Sequence, residues 1–242
     1  MKPVRWLAAA LLGFAVASPA EAQLVSPQNV RFVSSSPYGV YTKFGVYVGP
    51  YRLQLVGEPG APTVDAFCVD FDNFVSTANT GWQADLINIG TGDLSGTRQA
   101  IANAGDVIIA QRNYHAAAWL ASTMMADPNK SNMWKYHGAI WYLTSGGAGG
   151  GTDAFGPSDA FYNPFNAPGI DRATIEGLAL TALNSYNDGN VLAENWTVIT
   201  PAAGYNSQEF ITNVVPEPAS LILLGSGLLA LGAFAYFRRG AA

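Results

Sequence analysis

From Ala219 to Phe237 the chain runs for 19 residues without Asp, Glu, Lys or Arg. A helix of that length rises about 28 Å, close to the roughly 30 Å hydrocarbon core of a bilayer. Gly225, Gly227 and Gly232 would weaken a helix in water, whereas membrane helices tolerate glycine. Arg238 and Arg239 follow at once. Paired cations beside an apolar run resist translocation, so this end is expected on the cytoplasmic side. A buried core helix rarely runs so long without a charge and then meets two arginines. Segment 219–237 therefore predicts a transmembrane helix in the inner membrane, with the bulk of the chain folding on its other side.

The first residues supply the direction of travel. Lys2 and Arg5 precede an apolar stretch from Trp6 to Ala17, and Ala20-Glu21-Ala22 gives the small-x-small pattern of a peptidase site. This is the pattern of a secretory signal peptide, residues 1–22, cut by signal peptidase between Ala22 and Gln23. The expected product is an exported body, residues 23–214, tethered through its tail.

Ahead of the span stand Val215, Pro216, Glu217 and Pro218. Two prolines hold the segment extended and block a continuous helix, which leaves the backbone open to an enzyme at the membrane face. The order of this tag, an apolar span and a terminal arginine pair resembles the PEP-CTERM sorting signal of Gram-negative bacteria, over residues 215–242. The resemblance implies recognition by exosortase, an integral-membrane enzyme with a cysteine nucleophile. Pro216, Glu217 and Pro218 are then a substrate for catalysis, not catalysts.

Of the 12 Lys+Arg and 17 Asp+Glu in the chain, four basic residues and one acidic residue lie in the terminal segments 1–22 and 218–242, which leaves residues 23–217 with 8 against 16. Such a surface repels nucleic acid and anionic lipid, and no basic patch offsets it. Charged residues are few while Gly and aromatic residues are many, a composition that suits a secreted β-rich protein. The single cysteine, Cys68, excludes an internal disulfide. A lone thiol in an oxidising compartment is buried, paired with another chain, or chemically special.

Along the body the hydrophobic period changes twice. Segments 29–34, 44–57, 63–71 and 81–90 alternate or run apolar between turn residues, which reads as strands. From about Gly96 an alanine-rich stretch reads as helix, interrupted near Gly105 and stopped at Asp127-Pro128. Segment 132–144 places Trp134, His137 or Gly138, and Trp141 on one helical face. A Gly/Pro/Asn-rich loop spans 145–169, and Asp171 caps a helix to Asn187. "NWTVIT" and "QEFITNVV" return to strand. The fold class is α+β, with antiparallel sandwich-like or barrel-like strands at both ends and a helical middle.

"AFCVDFDN", "AAAWLAS", "GAIWYLT" and "QEFI" follow one another in this body. Together they resemble the thioester-domain-like architecture of bacterial surface proteins, over about residues 45–211. In that family a strand cysteine is joined to a glutamine just before an Ala-Ile-Trp helix. The bond is a latent electrophile that captures amines. Cys68 falls on the cysteine position, Ala139-Ile140-Trp141 on the helix motif and Gln208 on the supporting motif. The glutamine position holds His137, and an imidazole has no acyl group to give up. The expected consequence is that no thioester forms. If Cys68 and His137 lie side by side, a neighbouring imidazole can instead lower the thiol pKa and make a nucleophile. The plainer reading packs Cys68 as a small hydrophobe and His137 as a partly buried helix residue.

Asp70, Asp72 and Asn73 offer hard oxygen ligands of the kind calcium takes, but no further loop signature surrounds them. His115 and His137 have no metal-ligand spacing, the Gly146–Gly151 run lacks the lysine of a phosphate loop, and no G-x-S-x-G is present. No cofactor is expected. Two functions follow. The first is a non-catalytic envelope or matrix protein acting in adhesion, aggregation or exopolysaccharide and biofilm association at the cell surface. The second is a secreted thiol-dependent enzyme or covalent adhesin that uses Cys68.

Overall fold

The computed structural model describes residues 27–35, 42–43, 46–56, 61–71, 81–144, 171–187 and 195–213. All of them fall in one compact unit, Val25–Val214. The expected signal peptide with Ala22 and Gln23, the tag at 215–218, the span at 219–237 and Arg238 and Arg239 lie outside the described residues. Among the described residues no helix is long and apolar enough to cross a membrane.

Eight strands and four helices make up the described unit. The strands are β1 (Gln28–Ser34), β2 (Thr42–Lys43), β3 (Val46–Tyr47), β4 (Tyr51–Leu55), β5 (Thr63–Cys68), β6 (Trp82–Asn88), β7 (Thr197–Pro201) and β8 (Phe210–Thr212). The helices are α1 (Arg98–Ala102), α2 (Val107–Ala126), α3 (Met133–Thr144) and α4 (Arg172–Asn187). Six strands close into an antiparallel barrel in the order β1-β4-β5-β8-β7-β6, and β2 and β3 pair apart from it. Of the two sheet arrangements the sequence left open, the structure takes the barrel. Closure leaves no edge strand within it to template association.

The alternation that marked the strands is the alternation of the barrel wall. On β4, Tyr51, Leu53 and Leu55 are buried while Arg52 and Gln54 are partly exposed, and Arg31 on β1 donates to Gln54 Oε1 at 2.6 Å. Val30 faces Leu55 on one side of β1 and Trp82 on the other, so one inward row crosses three strands. Phe210 lies against both Tyr51 and Trp82, which joins opposite walls through aromatic contacts. The wall formed by β5, β7 and β8 is buried on both faces. Phe67, Val198 and Ile211, which point the other way from Cys68, Ile199 and Phe210, are also shielded. Helices α2 and α3 touch β8 and β5.

Alanine makes the helical layer close-packed. Ala116, Ala117, Ala118 and Ala121 on α2, Ala139 on α3, and Ala179 and Ala182 on α4 are fully buried where the three helices meet. Ala104 and Gly105, at φ +57° and +86°, form the left-handed turn that follows α1. Asp106 then caps α2 by accepting from the Ile108 and Ile109 amides at 2.9 and 3.1 Å. Asp171 caps α4 in the same way, accepting from the Thr174 amide at 3.1 Å. Each such cap stabilises a helix by about 1 kcal/mol.

Candidate functional site

Where β5 ends beside α3, the structure brings Cys68 and His137 together. The contact is not the one a thiol–imidazole pair needs. His137 is fully buried, and its Nε2 lies 3.0 Å from the Cys68 carbonyl oxygen. Its Nδ1 accepts from the Gly49 amide at 2.7 Å. An N–H donating to Nδ1 leaves the proton on Nε2, so Nε2–H donates to the carbonyl and the ring is neutral. Burial pushes the imidazole pKa down to about 4, which agrees with that form. The ring thus pins the turn before β4 to the last residue of β5, and Trp141 lies against it with centroids 4.2 Å apart.

Gly49 is shaped for this contact. Its φ is +120°, a conformation that L side chains rarely adopt, and a Cβ there would stand 3.2 Å from Met133 Sδ. The backbone must come this close for its N–H to reach the ring.

The Cys68 thiol is directed elsewhere. It donates to the Asp70 carbonyl oxygen at 3.2 Å and is fully buried. Burial pushes its pKa up to about 12, the Asp70 and Glu209 carboxylates push the same way, and hydrogen bonds from the Asp70 backbone and the Trp141 side chain oppose them. Thiolates form where cations or helix N-termini stand close, and here the charged neighbours are acidic. Neither ring nitrogen of His137 is free to take the thiol proton.

Gln208 joins the same corner. Its Nε2 donates to the Asp70 carbonyl at 3.3 Å, so one main-chain oxygen receives both the thiol and the amide. The three positions singled out by the thioester-domain resemblance, Cys68, His137 and Gln208, therefore meet around two carbonyls. Asp70, considered as a calcium ligand, makes an ion pair with Arg98 at 2.5 Å, while Asp72 and Asn73 lie outside the described residues. His115 sits apart on α2 against Tyr186 of α4, and burial lowers its pKa. Among the described residues no three His, Cys, Asp or Glu side chains are placed to share a metal ion.

Beyond Asp70 lies a second polar cluster that the sequence reading missed. Glu209 is fully buried, with Oε2 accepting from the Arg98 amide at 3.0 Å and Oε1 accepting from the Tyr114 hydroxyl. Thr200 also hydrogen-bonds its carboxyl. The Arg98 guanidinium reaches Asp70 and the Ser207 carbonyl, each at 2.5 Å. Next to it the Gln99 side chain accepts from Asn113 at 3.0 Å and donates to the Thr144 carbonyl, which ties α1 to α2 and α3. A signal did exist, since Glu209 is a lone charge inside the strand-like "QEFIT", and a strand buried on both faces has no outward side for it.

Residues 214–239 match the family described as the PEP-CTERM protein-sorting motif. No curated protein matches the chain. Among solved structures the chain is similar to the N-terminal domain of the Streptococcus pyogenes pilus tip adhesin Cpa. The two are 11% identical over 82% of this chain and 99% of that one, with a TM-score of 0.45. The sorting motif marks an exported chain that is anchored in the membrane before exosortase processes it: this protein carries a PEP-CTERM protein-sorting motif at residues 214–239.

Proposed function

We propose that this chain is a non-catalytic envelope or matrix protein, delivered by exosortase and acting in adhesion, aggregation or exopolysaccharide association. The sorting motif carries the reading, because it supports an exported body that is anchored in a membrane before processing. Signal peptidase and exosortase are then its partners only during export, and the released body is the working molecule.

The competing reading, a thiol-dependent enzyme or covalent adhesin, needs a nucleophile at Cys68. The buried thiol faces acidic neighbours, and His137 spends both nitrogens on main-chain groups. A base with no free lone pair cannot activate a thiol. This chemistry supports a structural role for both residues.

The test is to express the chain in a host that carries exosortase, with and without Glu217→Ala, and to follow its location and intact mass. The reading expects release of a shortened body in the unaltered chain and retention of the long form in the variant. It further expects that deleting the gene weakens cell aggregation or matrix retention. Unchanged release of the variant, or a deletion strain with unchanged aggregation and matrix, contradicts it.

A further inference from the structure

The cluster around Glu209 holds one more acid than base. Asp70 and Glu209 are both buried carboxyl groups, and among the described residues the cation beside them, Arg98, turns its guanidinium to Asp70 and Ser207. Among the described residues Glu209 receives the Arg98 main-chain N–H, the Tyr114 hydroxyl and the Thr200 hydroxyl. The charged and titratable groups facing it are Asp70 and Cys68 from the β5 end, Arg98 from α1 and Tyr114 from α2. Thr200 faces it from β7, and the nearby polar groups of α3 bond elsewhere. A lone excess charge in such a place is expensive, and taking up a proton removes it.

The site can accept that proton without moving. A protonated Glu209 has two candidate acceptors, the Thr200 hydroxyl oxygen and the Tyr114 phenol oxygen. Both hydroxyls rotate, so a donor becomes an acceptor by turning about one bond. Tyr114 also accepts from the Gln99 amide at 3.4 Å, so its oxygen already serves as an acceptor.

We propose that Glu209 is a proton-linked latch. Its ionisation as pH rises loosens the seam that joins Ser207–Glu209 to α1 and α2. The sign follows from linkage. Burial, first among the causes, and Asp70 raise its pKa against the three hydrogen bonds, so the folded state holds a proton that the unfolded state releases. Stability from this group is full below the ordinary carboxyl pKa of 4.5 and is lost as pH rises through the folded value.

The test compares urea unfolding of the full chain and its Glu209→Gln variant in mild detergent, from pH 5 to pH 8. The introduced carboxamide copies the neutral acid. The unfolding constant of the unaltered chain should rise relative to the variant's as pH increases, about tenfold for each pH unit between the two pKa values. A ratio independent of pH overturns the proposal. Should the variant fail to fold, infrared spectroscopy of the unaltered chain decides. A protonated-carboxyl band that persists above the ordinary carboxyl range and then titrates away supports the latch, and its absence overturns it.

Discussion

The two buried polar clusters meet at Asp70 and handle the same problem differently. Around His137 every group is neutral. The ring surrenders its charge, and main-chain partners at Gly49 and Cys68 satisfy both nitrogens. Around Glu209 one ion pair is kept, Arg98 against Asp70, and a second carboxyl is held by hydrogen bonds. The neutral cluster pins loop to strand, and its cost appears when acid forces a proton onto the ring. The charged cluster pins helix to barrel, and its cost appears when base removes one. Burial thus dictates satisfied hydrogen bonds in both places but leaves the protonation response free to differ in sign.

The sharpest blow to the neutral side is His137→Ala. It empties a fully buried ring volume and leaves the Gly49 N–H and the Cys68 carbonyl without their partner. The expected loss is about 4 kcal/mol, read from urea midpoints. A loss below about 1 kcal/mol would mean that the ring pins nothing.

On the charged side, Arg98→Met keeps much of the side-chain volume and removes the cation. Asp70 is then a buried carboxylate without its counter-ion. The expected cost is about 3 kcal/mol, read from urea midpoints. A cost below about 1 kcal/mol would mean that the ion pair adds little to the fold.

Acid titration reads the difference directly. The folded pKa of His137, about 4, lies below its ordinary 6.5. Between those values the unfolded chain binds the proton and the folded chain does not, so this contribution is full above pH 6.5 and is lost as pH falls toward 4. In a Glu209→Gln background, which removes the opposing slope, stability should drop on the order of 3 kcal/mol across that window. A flat profile there would show that the ring charges without penalty.

The smallest of these effects is Gly49→Ala. The added methyl meets Met133 Sδ and must adopt a left-handed φ of +120°. A loss of about 2 kcal/mol is expected from thermal or urea unfolding.

Much of the scaffold was legible in the sequence. The alanine-rich run, the capping Asp106 and Asp171 and the left-handed Gly105 are local signals, and α2, α3 and α4 follow from them. The strands also follow from local alternation. Closure of the barrel was not legible. It depends on β1 pairing with both β4 and β6, and no local pattern reports which strand a strand will meet. His137 was singled out for what it replaces, but its partners are main-chain atoms 88 and 69 residues away, which carry no side-chain signature. Arg98 and Glu209, 111 residues apart, looked like an ordinary helix residue and an ordinary strand residue until the fold brought them into contact.

The central claim is that Cys68 and His137 hold the fold and perform no chemistry, and the thiol itself tests it most directly. The measurement is intact mass, methylamine uptake and alkylation rate of the folded chain near neutral pH. The account predicts the full mass expected from the processed sequence, no amine uptake, and a thiol that alkylates only when the protein is unfolded. A mass short by one ammonia with amine incorporation, or rapid alkylation of the folded chain, would contradict it.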